Sequence, residues 1–285
     1  MRDQAAPGKE RNTVESRSGS KVAQRDAATV GSWRRALSDR LASAWVAKML
    51  ATILGIGAFF LAYFWVLRNP QDSVVVMPLT AIDRMIPVEP RAMPLYLSLW
   101  FYVSIAPALL RDARDLARYG LATFVVSVVG LGIFLFWPTT TPDFGIDWAR
   151  YPSMEFLKRV DVSANACPSL HVAFAVFTGL WLDRLLREIG LGRVARAVNL
   201  LWCLGILYST LAVRQHVLLD VLAGAALGAA VALAHRFLDG RRARCGDRLP
   251  VPPRAAGFTR QAAVPATSAA APSRTARAAG PPRTG

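Results

Sequence analysis

Residues 165–182 read NACPSLHVAFAVFTGLWL, an apolar run that holds one histidine, His171, about a turn from its start. The chain has only three histidines in 285 residues. A second, His216, opens another apolar run and is followed four residues later by Asp220. Because about 20 apolar residues cross a bilayer as a helix, both histidines are predicted to lie at the ends of membrane spans.

The rest of the chain has the same character. Hydrophobic residues make up 53% of it, and four further apolar runs precede or separate the two that carry histidines. Six such runs with polar loops between them are typical of a polytopic membrane protein. We therefore predict an all-α fold, a six-helix transmembrane bundle, with spans at 49–67, 92–110, 119–142, 162–182, 197–213 and 215–234.

The net charge of +15 has a pattern that explains it without a nucleic-acid partner. Segments 1–48 and 235–285 hold ten Lys or Arg each, and the short connections 111–118 and 183–196 hold three and four. The longer connections 68–91 and 138–161 hold three each. By the positive-inside rule, both termini are predicted to be cytoplasmic. The protein is then a multi-pass inner (plasma) membrane protein, and both histidines lie on the periplasmic or extracytoplasmic side.

Composition divides the chain into three parts. Segments 1–45 and 239–285, rich in Arg, Ala, Ser and Pro, are predicted to be disordered cytoplasmic tails, and 46–238 to be one catalytic membrane domain. About 45 polar residues precede the first apolar run, so we expect no cleaved signal peptide. Glycines four apart in LAGAALGAA, within the last span, predict close approach of a neighbouring helix.

The three cysteines predict neither a disulfide nor a metal site. Cys167, Cys203 and Cys245 fall at different predicted depths and on two sides of the membrane, and their spacing is not that of metal ligands. We expect no metal and no cofactor.

The second histidine motif has the spacing of a catalytic pair. His216 and Asp220 are four residues apart, which places them on one face of a helix. We expect the Asp220 carboxylate to hydrogen-bond to one imidazole nitrogen, which would raise the basicity of the other. A carboxylate at this depth is expensive in lipid unless it faces the bundle interior with a partner. Arg214, two residues before the histidine, suits a phosphate group.

The first histidine motif complements the second. In PSLH, the proline favours the first helical turn, and Ser169 with nearby amides can point at an anion. Two imidazoles beside an anion-binding helix start indicate phosphoryl transfer through a phosphohistidine, in which one histidine attacks and the other protonates the leaving oxygen. A bis-histidine haem or quinone site is an alternative, but it leaves Ser169 and Asp220 without a role. His235, at the predicted cytoplasmic end of the last span, is interpreted as a headgroup contact.

These residues carry a resemblance to a known family. CPSLH followed by His-x3-Asp resembles the type 2 phosphatidic acid phosphatase superfamily, six-span enzymes with the motifs Pro-Ser-Gly-His and Ser-Arg-x5-His-x3-Asp. The variant NACPSLHVA and the segment FWPTTTP are similar to the branch that contains the inositol phosphorylceramide synthases. The resemblance covers most of residues 50–236.

The resemblance implies roles for individual residues. His216 matches the family's nucleophile, Asp220 its charge partner, His171 the general acid and Ser169 a phosphate ligand.

The chain also departs from the family pattern. Thr210 stands at the arginine position of the last motif, where Arg214 is the residue that would supply the missing charge. The family's first motif, Lys-x6-Arg-Pro, is absent, and Arg150, Lys158 and Arg159 are the substitutes on the same predicted side.

The function predicted from these residues is that of a lipid-phosphate phosphatase with a phosphohistidine intermediate. The first alternative is a lipid phosphotransferase that moves a phospho-headgroup to a lipid alcohol. The alternative of another class is a membrane transporter or scaffold without enzymatic activity, against which the intramembrane Asp220 argues. The expected partners are a lipid phosphate substrate and membrane lipids; the oligomeric state is left open.

Overall fold

The computed structural model describes residues 31–152, 154–155 and 165–246, with side chains described as far as Arg241. This part of the chain is mostly helical, and residues 31–42 precede the first named helix as a further helical segment. The helices are α1 (Trp45–Arg68), α2 (Ala81–Met85), α3 (Met93–Leu97), α4 (Leu99–Ala108), α5 (Ala113–Phe136), α6 (Leu170–Ile189), α7 (Arg193–Ala212) and α8 (Leu218–Gly246).

Four of these helices are long and apolar enough to cross a membrane by length and composition: α1, α5, α7 and the Leu218–Arg241 part of α8. The second predicted span is divided into α3 and α4, and its helical residues form two short pieces that each include a proline. The fourth, α6, carries charged residues in its last two turns, from Asp183 to Glu188. The protein is thus a multi-pass membrane protein by its candidate spans, and the count of six remains a prediction.

The element bounds also bear on the predicted tails. The helical segment 31–42 falls inside the segment predicted as an N-terminal tail, and α8 continues past residue 238 to Gly246. Segments 1–30 and 247–285 lie outside the described residues.

The connections contain short elements that support the site. Strands β1 (Val75–Val76) and β2 (Thr139–Thr140) pair in parallel and join the α1–α2 connection to the segment after α5. Short 3₁₀ turns occur at Pro90–Ala92 and Trp148–Arg150. The polar loops predicted between spans therefore have defined structure in their described parts.

α6 is the central helix of the bundle, and it packs against α4, α5 and α7. Its buried side chains include Phe177, Trp181 and Leu185, which belong to the main apolar cluster. Tyr119 of α5 makes an edge-to-face contact with Trp181, with ring centroids 5.1 Å apart. Burial of these large side chains holds α6 in the middle of the bundle.

The glycines of the last helix contact α6 directly. A Cβ added at Gly224 would lie 2.2 Å from the carbonyl oxygen of Ser169, and one at Gly228 would lie 2.2 Å from that of Ala173. The close helix approach predicted from their four-residue spacing is present, because only a residue without a side chain fits there.

Candidate active site

The first histidine motif begins α6 and is held in place by β2. Thr139 accepts a hydrogen bond from Cys167 N at 2.7 Å through its hydroxyl, and its carbonyl accepts one from Ala166 N at 2.9 Å. The Cys167–Pro168 peptide is cis. Ser169 then caps the helix, because its hydroxyl oxygen accepts from Val172 N at 3.3 Å.

His171 is oriented by Tyr96, a residue of α3. Its Nε2 donates to the Tyr96 carbonyl oxygen at 3.0 Å, and the two rings stack 4.0 Å apart at 9°. A carbonyl can only accept, so this contact assigns the proton to Nε2. Nδ1 is then the nitrogen available to a substrate.

The second motif lies on a tight connection between α7 and α8. Gln215 N and His216 N both donate to the carbonyl of Thr210, at 3.1 and 3.2 Å. Arg214 has a φ of 56°, in the left-handed region that costs a side chain about 1–3 kcal/mol. The turn presents His216 just before α8 begins, with its side chain 11% exposed.

His216 and Asp220 are neighbours, but the expected hydrogen bond between them is not formed. His216 Nδ1 lies 3.6 Å from Asp220 Oδ2, beyond hydrogen-bond distance. Oδ2 accepts instead from Val217 N at 2.9 Å, as an acidic residue in the first turn of a helix commonly does, and this bond holds the carboxylate toward the helix start. His216 Nδ1 and Asp220 Oδ1 are buried atoms without a hydrogen-bond partner among the described residues.

The structure brings the two motifs together at the start of α6 and α8. Ser169 N donates to the Asp220 carbonyl at 3.0 Å, across the contact made by Gly224. Val172, next to His171, and Val221, next to Asp220, belong to one buried apolar cluster. The motif with His171 and the motif with His216 and Asp220, 45 residues apart in the sequence, therefore lie side by side.

Three of the predicted phosphate ligands bond to other groups of the protein. Ser169 is fully buried and its hydroxyl serves as the helix cap. Arg214 donates to two backbone carbonyls, those of Asp83 at 2.8 Å and Ile86 at 2.5 Å. Arg150 is 78% exposed and pairs with Asp147 at 3.1 Å. Lys158 and Arg159 lie outside the described residues.

Three residues that the motifs did not indicate belong to this region. Tyr96 orients His171, and Asp83 accepts from Leu218 N at 2.8 Å at the start of α8. Gln215 is 3% exposed, and neither polar atom of its amide has a hydrogen-bond partner among the described residues. The sequence TAID at 80–83 has the form of a capping box, and this signal could have indicated Asp83 as a helix-start residue. No sequence signal identified Tyr96 or Gln215.

Within the described residues, no group of three or more His, Cys, Asp or Glu side chains could hold a metal ion. The polar atoms gathered here are imidazole nitrogens, carboxylate oxygens and an amide, which suit proton transfer and hydrogen bonding to an oxyanion.

Comparison with known protein families identifies the superfamily that this part of the chain matches. Residues 116–242 match the family model of the PAP2 superfamily. The chain therefore contains a PAP2 superfamily domain, which runs from α5 through α8 and includes both histidine motifs. Neither a search of curated proteins nor one of solved structures found a match. The match does not extend to the inositol phosphorylceramide synthase-like branch, which remains a prediction.

Proposed function

We propose that the protein is a lipid-phosphate phosphatase that works through a phosphohistidine on His216. The observation that carries this proposal is the joining of both histidine motifs by the Ser169–Asp220 backbone bond inside a PAP2 superfamily domain. That superfamily suggests phosphatase-type chemistry on a phosphate-containing substrate.

The geometry supports different roles for the two histidines, attack on phosphorus by His216 and proton donation by His171. His216 Nδ1 faces Asp220, so its Nε2 is the nitrogen whose lone pair attacks phosphorus. As the N–P bond forms, the bond from phosphorus to the lipid oxygen breaks and its electron pair stays on that oxygen. His171, protonated on both nitrogens, gives that oxygen the proton from its Nδ1, while its Nε2 stays hydrogen-bonded to the Tyr96 carbonyl.

The second half-reaction returns the site to its starting state. His171, now neutral at Nδ1, accepts a proton from water as the water oxygen attacks phosphorus. The P–N bond breaks, its electron pair returns to His216 Nε2, and inorganic phosphate leaves. Asp220, 3.6 Å from Nδ1, stabilises the positive charge that the His216 ring carries while it is bonded to phosphorus.

An apolar cavity supports a lipid rather than a water-soluble substrate. It has a volume of about 410 Å³ and lies between α1, α4, α5 and α6. Phe174, one turn after His171, forms part of its wall. Lining hydroxyls of Thr123 and Ser127 donate to carbonyls of their own helix, so they are not directed at a polar ligand. We infer that the cavity accommodates hydrocarbon.

The placement of the site in the membrane is part of the proposal. The charge distribution supports cytoplasmic termini and an extracytoplasmic site. A reporter fused after Gly240 should then behave as cytoplasmic and one inserted near Asp147 as extracytoplasmic. The opposite result would place the site on the cytoplasmic face.

The test of the function is the purified protein against a panel of lipid phosphates, with free phosphate as the readout. His216→Ala should abolish turnover and any acid-labile phosphoenzyme. His235→Ala is the matched control, because His235 lies near Trp181 and Asp239 at the other end of α8. Equal activity of wild type and His216→Ala would leave the transporter or scaffold hypothesis. Phosphate transferred to an added lipid alcohol, without release, would favour the phosphotransferase.

A further inference from the structure

The connection between α1 and α4 contributes a carboxylate to the site region that the histidine motifs do not account for. Asp83 is 2% exposed and lies in the first turn of α2. The backbone N–H and the hydroxyl of Thr80 both donate to its Oδ2, at 2.8 and 2.7 Å. Two donors on one oxygen fix the carboxylate's orientation.

The other oxygen of Asp83 binds the start of α8. Its Oδ1 accepts from Leu218 N at 2.8 Å. Leu218 is the first residue of α8 and lies two residues after His216. The first N–H groups of a helix have no partner within the helix, so Asp83 caps α8 from a distant part of the chain.

The residue two positions before His216 is tied to the same short helix. Arg214 donates from Nη1 to the Asp83 carbonyl and from Nη2 to the Ile86 carbonyl. These bonds help to hold its left-handed backbone. Residues on both sides of His216 are therefore hydrogen-bonded to α2 or to Ile86, the residue that follows it.

Apolar packing reinforces the attachment. Ile86 packs against the buried cluster of Val172, Leu211 and Val221. Val172 adjoins His171 in sequence, and Val221 adjoins Asp220. The α2 segment thus lies against both motifs.

We propose that Asp83 is a positioning residue for His216, which it holds in place through the backbone at Leu218 and through Arg214. This inference rests on the proposed role of His216 as nucleophile. His216 lies in a turn rather than in a helix, so these outside contacts limit its movement. A displacement of about 1 Å at a reacting group lowers the rate roughly 10²-fold.

The test compares Asp83→Ala with Asp112→Ala in the full-length protein. Asp112 is the matched control because it also caps a helix, accepting from Asp115 N at 2.9 Å at the start of α5. We expect Asp83→Ala to lower kcat about 10²-fold with KM changed less than about threefold. Asp112→Ala should keep kcat within about twofold of wild type. Equal kcat values for the two variants would overturn the proposal, as would a rise in KM alone.

A second variant and a chemical-modification measurement complete the test. Thr80→Ala removes two bonds that orient Asp83, the one from the Thr80 hydroxyl to Oδ2 and the one from Asp83 N to that hydroxyl. If Asp83→Ala fails to accumulate, Thr80→Ala is judged by the same comparison of kcat and KM, with a loss of kcat of about tenfold expected. Wild type inactive on every substrate would refute the proposed function itself. The rate of carbethoxylation of His216, measured by mass spectrometry with His235 as internal reference, then tests positioning. It should rise about tenfold in Asp83→Ala over Asp112→Ala as the turn opens, and equal rates would overturn the inference.

Discussion

The contact between α8 and the start of α6 provides a quantitative test of the site. A Cβ at Gly224 would lie 2.2 Å from the Ser169 carbonyl oxygen, where ordinary contact begins at 3.4 Å. The clashing atom belongs to the backbone, which cannot rotate away, so Gly224→Ala must separate the helices by about 1 Å. Overpacking of this kind destabilises by about 1–3 kcal/mol.

The same displacement should affect catalysis more than stability. Ser169 belongs to the first histidine motif and Gly224 lies four residues after Asp220, so moving them apart changes the distance across which a phosphoryl group is held. We expect kcat to fall about 10²-fold while the protein still folds into the membrane. The assay is initial rate of phosphate release, with thermal unfolding in detergent as the measure of stability.

Gly132→Ala is the matched control. Gly132 also lies within a membrane-spanning helix, α5, and a Cβ added there would meet no atom within 4 Å. Alanine there should stabilise the helix by about 0.5–1 kcal/mol and leave kcat unchanged. A Gly224→Ala enzyme with kcat within about twofold of Gly132→Ala would refute the argument that this contact sets the distance between the histidines.

Three further substitutions test individual side chains. His171→Ala should slow a lipid alcohol leaving group by about 10² to 10⁴ but a nitrophenolate far less, since only the former needs a proton; equal losses on both substrates would argue against a general acid. Asp220→Asn should keep the Val217 N–H bond and membrane insertion yet lose much of kcat, because an amide cannot stabilise the charged imidazole; full activity would remove the charge role. Gln215→Leu replaces a buried amide without a hydrogen-bond partner among the described residues and should raise the free energy of unfolding by about 1 kcal/mol. Lower stability in thermal unfolding would show that the amide is paired.

Local sequence patterns predicted several features of the fold. The apolar runs at 49–67, 119–142, 197–213 and 215–234 correspond to helices that meet the criteria for membrane spans. Hydropathy identifies such helices because each residue contributes its own free energy of transfer into lipid, which can be read from the sequence. The runs at 92–110 and 162–182 did not become helices of that kind: the first is divided into α3 and α4, and α6 extends into a charged segment.

The candidate site was predicted by type and only partly by geometry. His171, His216 and Asp220 were identified because their spacing and rarity are visible in the sequence. The 3.6 Å gap between His216 and Asp220 was not visible in the sequence, since it depends on how the bond from Val217 N orients the carboxylate. Arg214 was expected to bind phosphate, and the structure shows both Nη atoms donating to backbone carbonyls.

The sequence by itself determined the helical class, the candidate spans and the identity of the two histidine motifs, because helix period, hydropathy and residue type are local properties. Only the tertiary structure decided that Ser169 N bonds to the Asp220 carbonyl, that Tyr96 orients His171, and that Asp83 caps α8. These contacts join residues 51 to 135 positions apart. Their formation depends on how backbone donors and acceptors left over at helix ends find partners across the bundle, which no local pattern specifies.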